Sequence, residues 1–153
     1  MVYFIDFQGY CYNEEPLVKE LCIINANDML NPNHMVYKMN IAWKHLSEID
    51  QTINDLLIKD HVKLSWEEGS HTFCMYCLIN SYGDDISTEV FYTRDENRMI
   101  TLKKLFPMLR IVKYEPYNLQ FIPRNIVCPY REHGEYCAYK SCLSMLVDYN
   151  SNC

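Results

Sequence analysis

The sequence predicts an α/β fold, a mixed sheet with helices on its faces, and two features of segment order carry that expectation. Three apolar segments rich in β-formers come first, separated by turns containing Gly, Asn and Pro, which is the pattern of an antiparallel meander. Segments with apolar residues at steps of three and four then alternate with further short apolar runs, and the last segment is helical. At 153 residues, with 49% hydrophobic and 14% aromatic residues, the chain is expected to fold as one domain over residues 1–153, without needing disulfides or a metal merely to form a core.

Residues 1–9 read as a buried strand around Val2, Phe4 and Ile5, and residues 10–16 as a polar turn. Residues 17–24 form a second, nearly continuous apolar strand interrupted by Lys19 and Glu20, a charged pair that needs a partner. A loop over 25–33 leads to a third strand at 34–39. Residues 43–59 place Trp43, Leu46, Ile49, Ile53, Leu56 and Leu57 on one helical face, predicted to turn inward. Residues 61–64 suggest a short extended piece. Ser65 is a candidate cap for a second helix carrying Phe73, Tyr76 and Cys77 and stopping at Gly83. A strand at 86–92, a helix at 97–106 halted by Pro107, a strand at 109–114, a loop over 115–129 and a terminal helix at 136–149 complete the reading.

A net charge of −6 excludes a broad basic platform, so a sequence-specific DNA reader is not expected and any single-stranded RNA contact should be weak. Lys103, Lys104 and the stretch 110–113 are the basic concentration, read as a solvated face. No run approaches the ~18 apolar residues of a membrane helix, and residues 1–6 lack a signal-peptide pattern, so no membrane partner and an intracellular location are expected. The 8 cysteines are then expected as thiols or metal ligands.

The stretch Cys128-Pro129-Tyr130-Arg131-Glu132-His133-Gly134-Glu135-Tyr136-Cys137 gathers two thiols and an imidazole at a loop-to-helix junction. Thiolate and imidazole are the preferred ligands of tetrahedral zinc, and the Pro/Gly loop lets the three converge. Spacing alone leaves the fourth ligand open, and leaves open a buried cysteine pair beside an unrelated histidine. His71, Cys74 and Cys77, three residues apart on an expected helix face, are a rival set; core packing is the plainer reading of cysteines there.

The order of elements resembles that of RNase H-like domains. Exonucleases of the DEDD superfamily carry Asp-x-Glu on the first strand and His-x-x-x-Asp at the last helix. Here Ile5-Asp6-Phe7-Gln8-Gly9 stands in the first place, and His133-Gly134-Glu135-Tyr136-Cys137-Ala138 has the spacing of the second with cysteine for aspartate. The closer resemblance is to the Maelstrom domain, an RNase H-like family that has lost those carboxylates and carries a Glu, Cys, His, Cys zinc site. Lys19-Glu20-Leu21-Cys22-Ile23 matches the position of that family's glutamate, so the resemblance implies Glu20, Cys128, His133 and Cys137 as ligands of a structural Zn²⁺. The Cys128-to-His133 interval is longer than the family's Cys-x-x-His. The layout is also similar to that of a group of arthropod proteins with Lys-Glu on strand two and His-x-x-x-Trp-x-x-Gly, which the stretch 61–69 approximates with one residue more.

Two-metal phosphodiester hydrolysis needs several carboxylates, and Gln8 is neutral while Cys137 is soft. The middle aspartate falls on Arg98, or on Asp95 if the register shifts, leaving Asp6 as a vestige. The expectation is therefore a catalytically inactive, zinc-binding module that binds a protein partner, or RNA weakly, and the resemblance to Maelstrom implies small-RNA-directed transposon silencing as its setting. An active 3′–5′ exonuclease and a metal-free structural domain are the alternatives.

Overall fold

The computed structural model describes residues 1–116, 126–134 and 137–152. Its strands are β1 (Val2–Tyr12), β2 (Glu15–Asn25), β3 (Asn33–Lys38), β4 (His71–Thr72), β5 (Val90–Thr93) and β6 (Arg110–Lys113). Its helices, among the described residues, are α1 (Glu48–Leu56), α2 (Met75–Asn80), α3 (Glu96–Leu105) and α4 (Ala138–Ser151). The strands form one mixed sheet in the order β4-β3-β2-β1-β5-β6. β1, β2 and β3 pair antiparallel as a meander, whereas β5 and β6 add in parallel beside β1. An α/β mixed sheet is thus what the segment order predicted.

Period-two alternation divides the core between the two faces. Ile5, Leu21, Ile23, Phe91 and Ile111 pack against Leu102 and Phe106 on the α3 side. Phe4, Cys22 and Ile24 pack against Ala138, Cys142, Met145 and Leu146 of α4 on the other. Met145 and Leu146 are fully buried, each contributing roughly 1.5–3 kcal/mol of transfer free energy. A third cluster, Tyr10, Val36, Leu46, Val62, Leu64 and Trp66, closes the end of the sheet near the hairpin.

The first two strands are longer than expected. Tyr10, Cys11 and Tyr12 belong to β1 and pair with Leu17, Pro16 and Glu15. The turn is only Asn13 and Glu14, both at positive φ (50° and 67°), the left-handed geometry that two-residue hairpins require. Opposite the Gln8–Gly9 step the register skips Lys19, so β2 carries a one-residue bulge there, and a side chain at Gly9 would collide with the Leu17 carbonyl.

The long helix expected at 43–59 is corrected in extent and in orientation. A 3-10 turn at Trp43–His45 precedes it, Ser47 caps α1 through the Asp50 N–H, and a π turn at Leu57–His61 ends it. Its buried residues are Asp50 and Asn54, while Ile49, Ile53 and Leu56 face solvent. The hairpin tip explains the inversion. Asn54 accepts from the Cys11 N–H at 2.8 Å and donates to the Cys11 carbonyl at 2.9 Å, and Asp50 accepts from the Asn13 N–H at 3.1 Å. These bonds satisfy backbone groups of the strand end that would otherwise be orphaned.

Other boundaries also shift. Residues 71–72 form β4 beside β3, and α2 begins only after Cys74, so Ser65 caps no helix. A 3-10 turn occupies Asp84–Thr88 ahead of the short β5. Most of the loop expected at 115–129, together with Tyr136 at the expected start of the terminal helix, lies outside the described residues.

Replacing Asn54 by Ala should lower unfolding stability by roughly 1–3 kcal/mol, since two partly buried backbone groups lose their partners. Ile49→Ala, at a side chain 72% exposed, should stay within about 0.5 kcal/mol of the parent. Urea denaturation of the two variants reads both, and the reverse order would contradict the inverted helix.

Candidate metal centre

Lys19 and Glu20 are both fully buried in the middle of β2, and each has found its own partners. The Lys19 ammonium donates to the carbonyls of Trp66 at 3.1 Å and Glu68 at 2.5 Å, which pins the irregular segment after the π turn against the sheet. Glu20 uses both carboxylate oxygens. Oε1 accepts from the Ala138 N–H at 2.7 Å, and Oε2 accepts from His34 Nε2 at 2.7 Å and from His133 Nε2 at 3.0 Å. Burial works to raise the Glu20 carboxyl, but bonds from His133, His34 and Ala138 outweigh it and hold the group down at about 2.

The segment carrying Cys128 and His133 is fixed by contacts on its outer side. Arg131 reaches Glu68 Oε1 at 2.6 Å and the Lys63 carbonyl at 2.9 Å, and the Tyr130 hydroxyl donates to Glu68 Oε2 at 2.8 Å. Gly134 donates to the Val62 carbonyl at 3.2 Å, and a side chain at Gly134 would strike the His61 carbonyl. Glu132 accepts from the Cys128 N–H at 3.0 Å and from Lys140 Nζ at 2.6 Å, tying the loop to the first turn of α4. Cys137 caps that helix, its Sγ accepting from the Lys140 N–H at 3.3 Å.

The result is a cluster of Glu20, Cys128, His133 and Cys137 whose ligand atoms all lie within 4.8 Å of one another, a group that could hold a metal ion. The residues singled out from the sequence are therefore brought together, one from β2 and three from the far end of the chain. His133 Nδ1 faces the Val62 carbonyl at 3.0 Å. That contact commits Nδ1–H and leaves Nε2, beside Glu20 and 3.5 Å from Cys128 Sγ, as the atom available to a metal.

Protons hold the cluster together when no metal does. Acceptors face both ring nitrogens of His133, which favours its protonated form. Burial opposes this, but Cys128 and Glu20 raise the group to about 10. The Cys137 thiol and the His133 imidazolium pull Cys128 down to about 4 against the effect of burial. Cys137, donating toward Cys128 and buried, is pushed well above the ordinary thiol range. The surroundings thus favour protons on His133 and Cys137 and negative charge on Glu20 and Cys128.

Two neighbours of the site do not stand out in the sequence. His34 sits opposite Cys22 in the β2–β3 register, which places it diagonal to Glu20 on the same face, a relation that only the pairing register supplies. Glu132 reads as one charge in a polar loop. The rival set does not assemble: His71 is on β4, and among the described residues the Glu20 cluster is the one such group of three or more.

Asp6 lies on the same sheet face, in the middle of β1. It is fully buried, with Arg98 Nε 2.8 Å from Oδ1 and Arg94 Nε 3.8 Å from Oδ2. Asp95 caps α3 through the Arg98 N–H and pairs with the same guanidinium at 2.9 Å. An open groove of about 480 Å³ runs beside it, lined by Gln8, Tyr10, His61, Asn97, Arg98 and Thr101 among others, with no carboxylate among its described lining residues.

Metal binding must expel the protons of His133 and Cys137, so titrating zinc or cobalt salt into weakly buffered protein between pH 6 and 8 should release about two protons per ion. Apparent affinity should rise about a hundredfold per pH unit over that range, and a pH-independent affinity would contradict these protonation states. Compared with family models, with curated proteins and with solved structures, the chain matches none.

Proposed function

We propose that this chain is a zinc-stapled RNase H-like module without nuclease activity, and that it works by binding a protein partner. The observation that carries the reading is the convergence of buried Glu20 from β2 with Cys128, His133 and Cys137 from the end of the chain. Two sulfurs, one imidazole and one carboxylate are a donor set suited to zinc and ill suited to magnesium or calcium. Four protein ligands, most of them fully buried, leave no open position for a substrate, so the metal's role is structural. The sheet order, with an antiparallel meander flanked by parallel strands, supports the RNase H-like assignment that the motifs suggested.

The vestigial nuclease position supports inactivity. The space that metal ions would share around Asp6 is occupied by the Arg98 and Arg94 guanidiniums, and Gln8 offers no charge. Working exonuclease chemistry needs several hard oxygens around two divalent ions, and a single carboxylate held by two cations cannot supply them. The outward apolar stripe of Ile49, Ile53 and Leu56 on α1 favours a protein as the partner, while the net charge of −6 limits RNA affinity to the micromolar range or weaker, on the order expected for a few phosphate contacts. Small-RNA-directed transposon silencing is the setting that the Maelstrom resemblance implies.

Native mass spectrometry of protein prepared without chelator should show one zinc per chain. Cys137→Ser should lose the ion and destabilise the fold by on the order of several kcal/mol, because the metal's binding energy is folding energy where it ties a loop and a helix to a strand. Protein that carries no metal and is indifferent to this substitution would overturn the staple. For the second half of the reading, Asp6→Asn should leave any RNA cleavage in magnesium unchanged; cleavage that vanishes in the variant would restore the exonuclease.

A further inference from the structure

We propose that Cys74 and Cys77 form a reversible redox pair, cycling between a dithiol and an intramolecular disulfide by exchange with a small disulfide of the glutathione class. Both side chains are exposed, unlike Cys22, Cys128, Cys137 and Cys142, which are buried. Their sulfurs lie 2.7 Å apart across the first turn of α2, and the Cys77 N–H donates to Cys74 Sγ at 3.3 Å. Phe73, Met75, Leu78 and Ile79 are packed against the core around this turn, so the two sulfurs are held at bonding range by anchored backbone. A shared metal does not account for the arrangement, since His71 does not join the pair and no third donor gathers there among the described residues. Two accessible thiols at this separation are placed to bond to each other.

The exchange has a direction. The Cys77 backbone N–H donates to Cys74 Sγ and favours the thiolate at that sulfur, so Cys74 supplies it. Cys74 Sγ attacks one sulfur of the glutathione disulfide, the S–S bond breaks, and one glutathione thiolate leaves. Cys77 then loses its proton to solvent and attacks Cys74 Sγ. The second glutathione departs as thiolate and takes up a proton. The protein dithiol is oxidised by two electrons, and one glutathione disulfide is reduced to two thiols.

The test uses the full chain loaded with zinc and treated with oxidised glutathione, then digested with trypsin. Residues 64–94 form one tryptic peptide whose cysteines are Cys74 and Cys77 alone. That peptide should lose about 2 Da, the two hydrogens of the dithiol, and regain them with dithiothreitol. The Cys77→Ser variant should stop at a glutathione adduct of about 305 Da on Cys74. Retention of both free thiols under excess oxidised glutathione, or adducts on both cysteines without ring closure, would overturn the pair. An adduct at Cys77 in Cys74→Ser with none at Cys74 in Cys77→Ser would overturn the assignment of the attacking sulfur.

Discussion

One buried carboxylate governs the arrangement of the described C-terminal segments. Glu20 is fully inaccessible in the middle of a strand, where an unpaired charge would cost several kcal/mol and could not persist. It persists because three different segments bring it donors: β3 through His34, the loop after residue 126 through His133, and the start of α4 through the Ala138 N–H. Its neighbour Lys19 performs the complementary task, capturing the Trp66 and Glu68 carbonyls. The segment so captured in turn grips Arg131 through Glu68 and Lys63. Two adjacent charged residues therefore locate, directly or at one remove, each element that builds the metal centre.

The neighbouring strand solves the same physical problem differently. Asp6 pairs in register with Cys22, and Gln8 with Glu20, so both buried carboxylates lie on the α4 face of the sheet. Glu20 is met by imidazoles and thiols, donors that can exchange protons for a metal. Asp6 is met by guanidiniums, which keep their charge at every accessible pH. The first arrangement leaves room for an ion and the second has filled it with permanent cations. That contrast underlies the reading of one site as structural metal and the other as a disused catalytic position.

Much of this was legible in the sequence because the clues were violations of pattern. A charged pair inside an apolar run demands compensation wherever the chain folds, and clustered cysteines with a histidine mark their own chemistry, so Cys128, His133 and Cys137 stand out by spacing, while Glu20 joins them as a ligand only through the Maelstrom resemblance. The orientation of α1 was not legible. Its apolar residues recur at helical spacing, and periodicity assumes that the apolar stripe faces the core. Only the folded hairpin reveals that Asp50 and Asn54 are needed inside, to satisfy the backbone of Cys11 and Asn13. The hairpin is expected from the sequence, but its two-residue tip is not, because Asn13 and Glu14 lack the glycine that usually announces a left-handed turn, and the strands therefore run on past the expected turn at 10–16. His34 escapes notice for a related reason: its role depends on cross-strand register, which one strand read alone does not contain.

X-ray absorption spectroscopy at the zinc edge of the loaded protein tests the central claim most directly. Coordination by Glu20, Cys128, His133 and Cys137 requires two sulfur scatterers at about 2.3 Å together with two nitrogen or oxygen scatterers at about 2.0–2.1 Å. In Glu20→Gln the carboxylate oxygen should drop out of that shell while both sulfurs remain. A first shell containing no sulfur, or four sulfurs, would place the metal elsewhere and contradict the account.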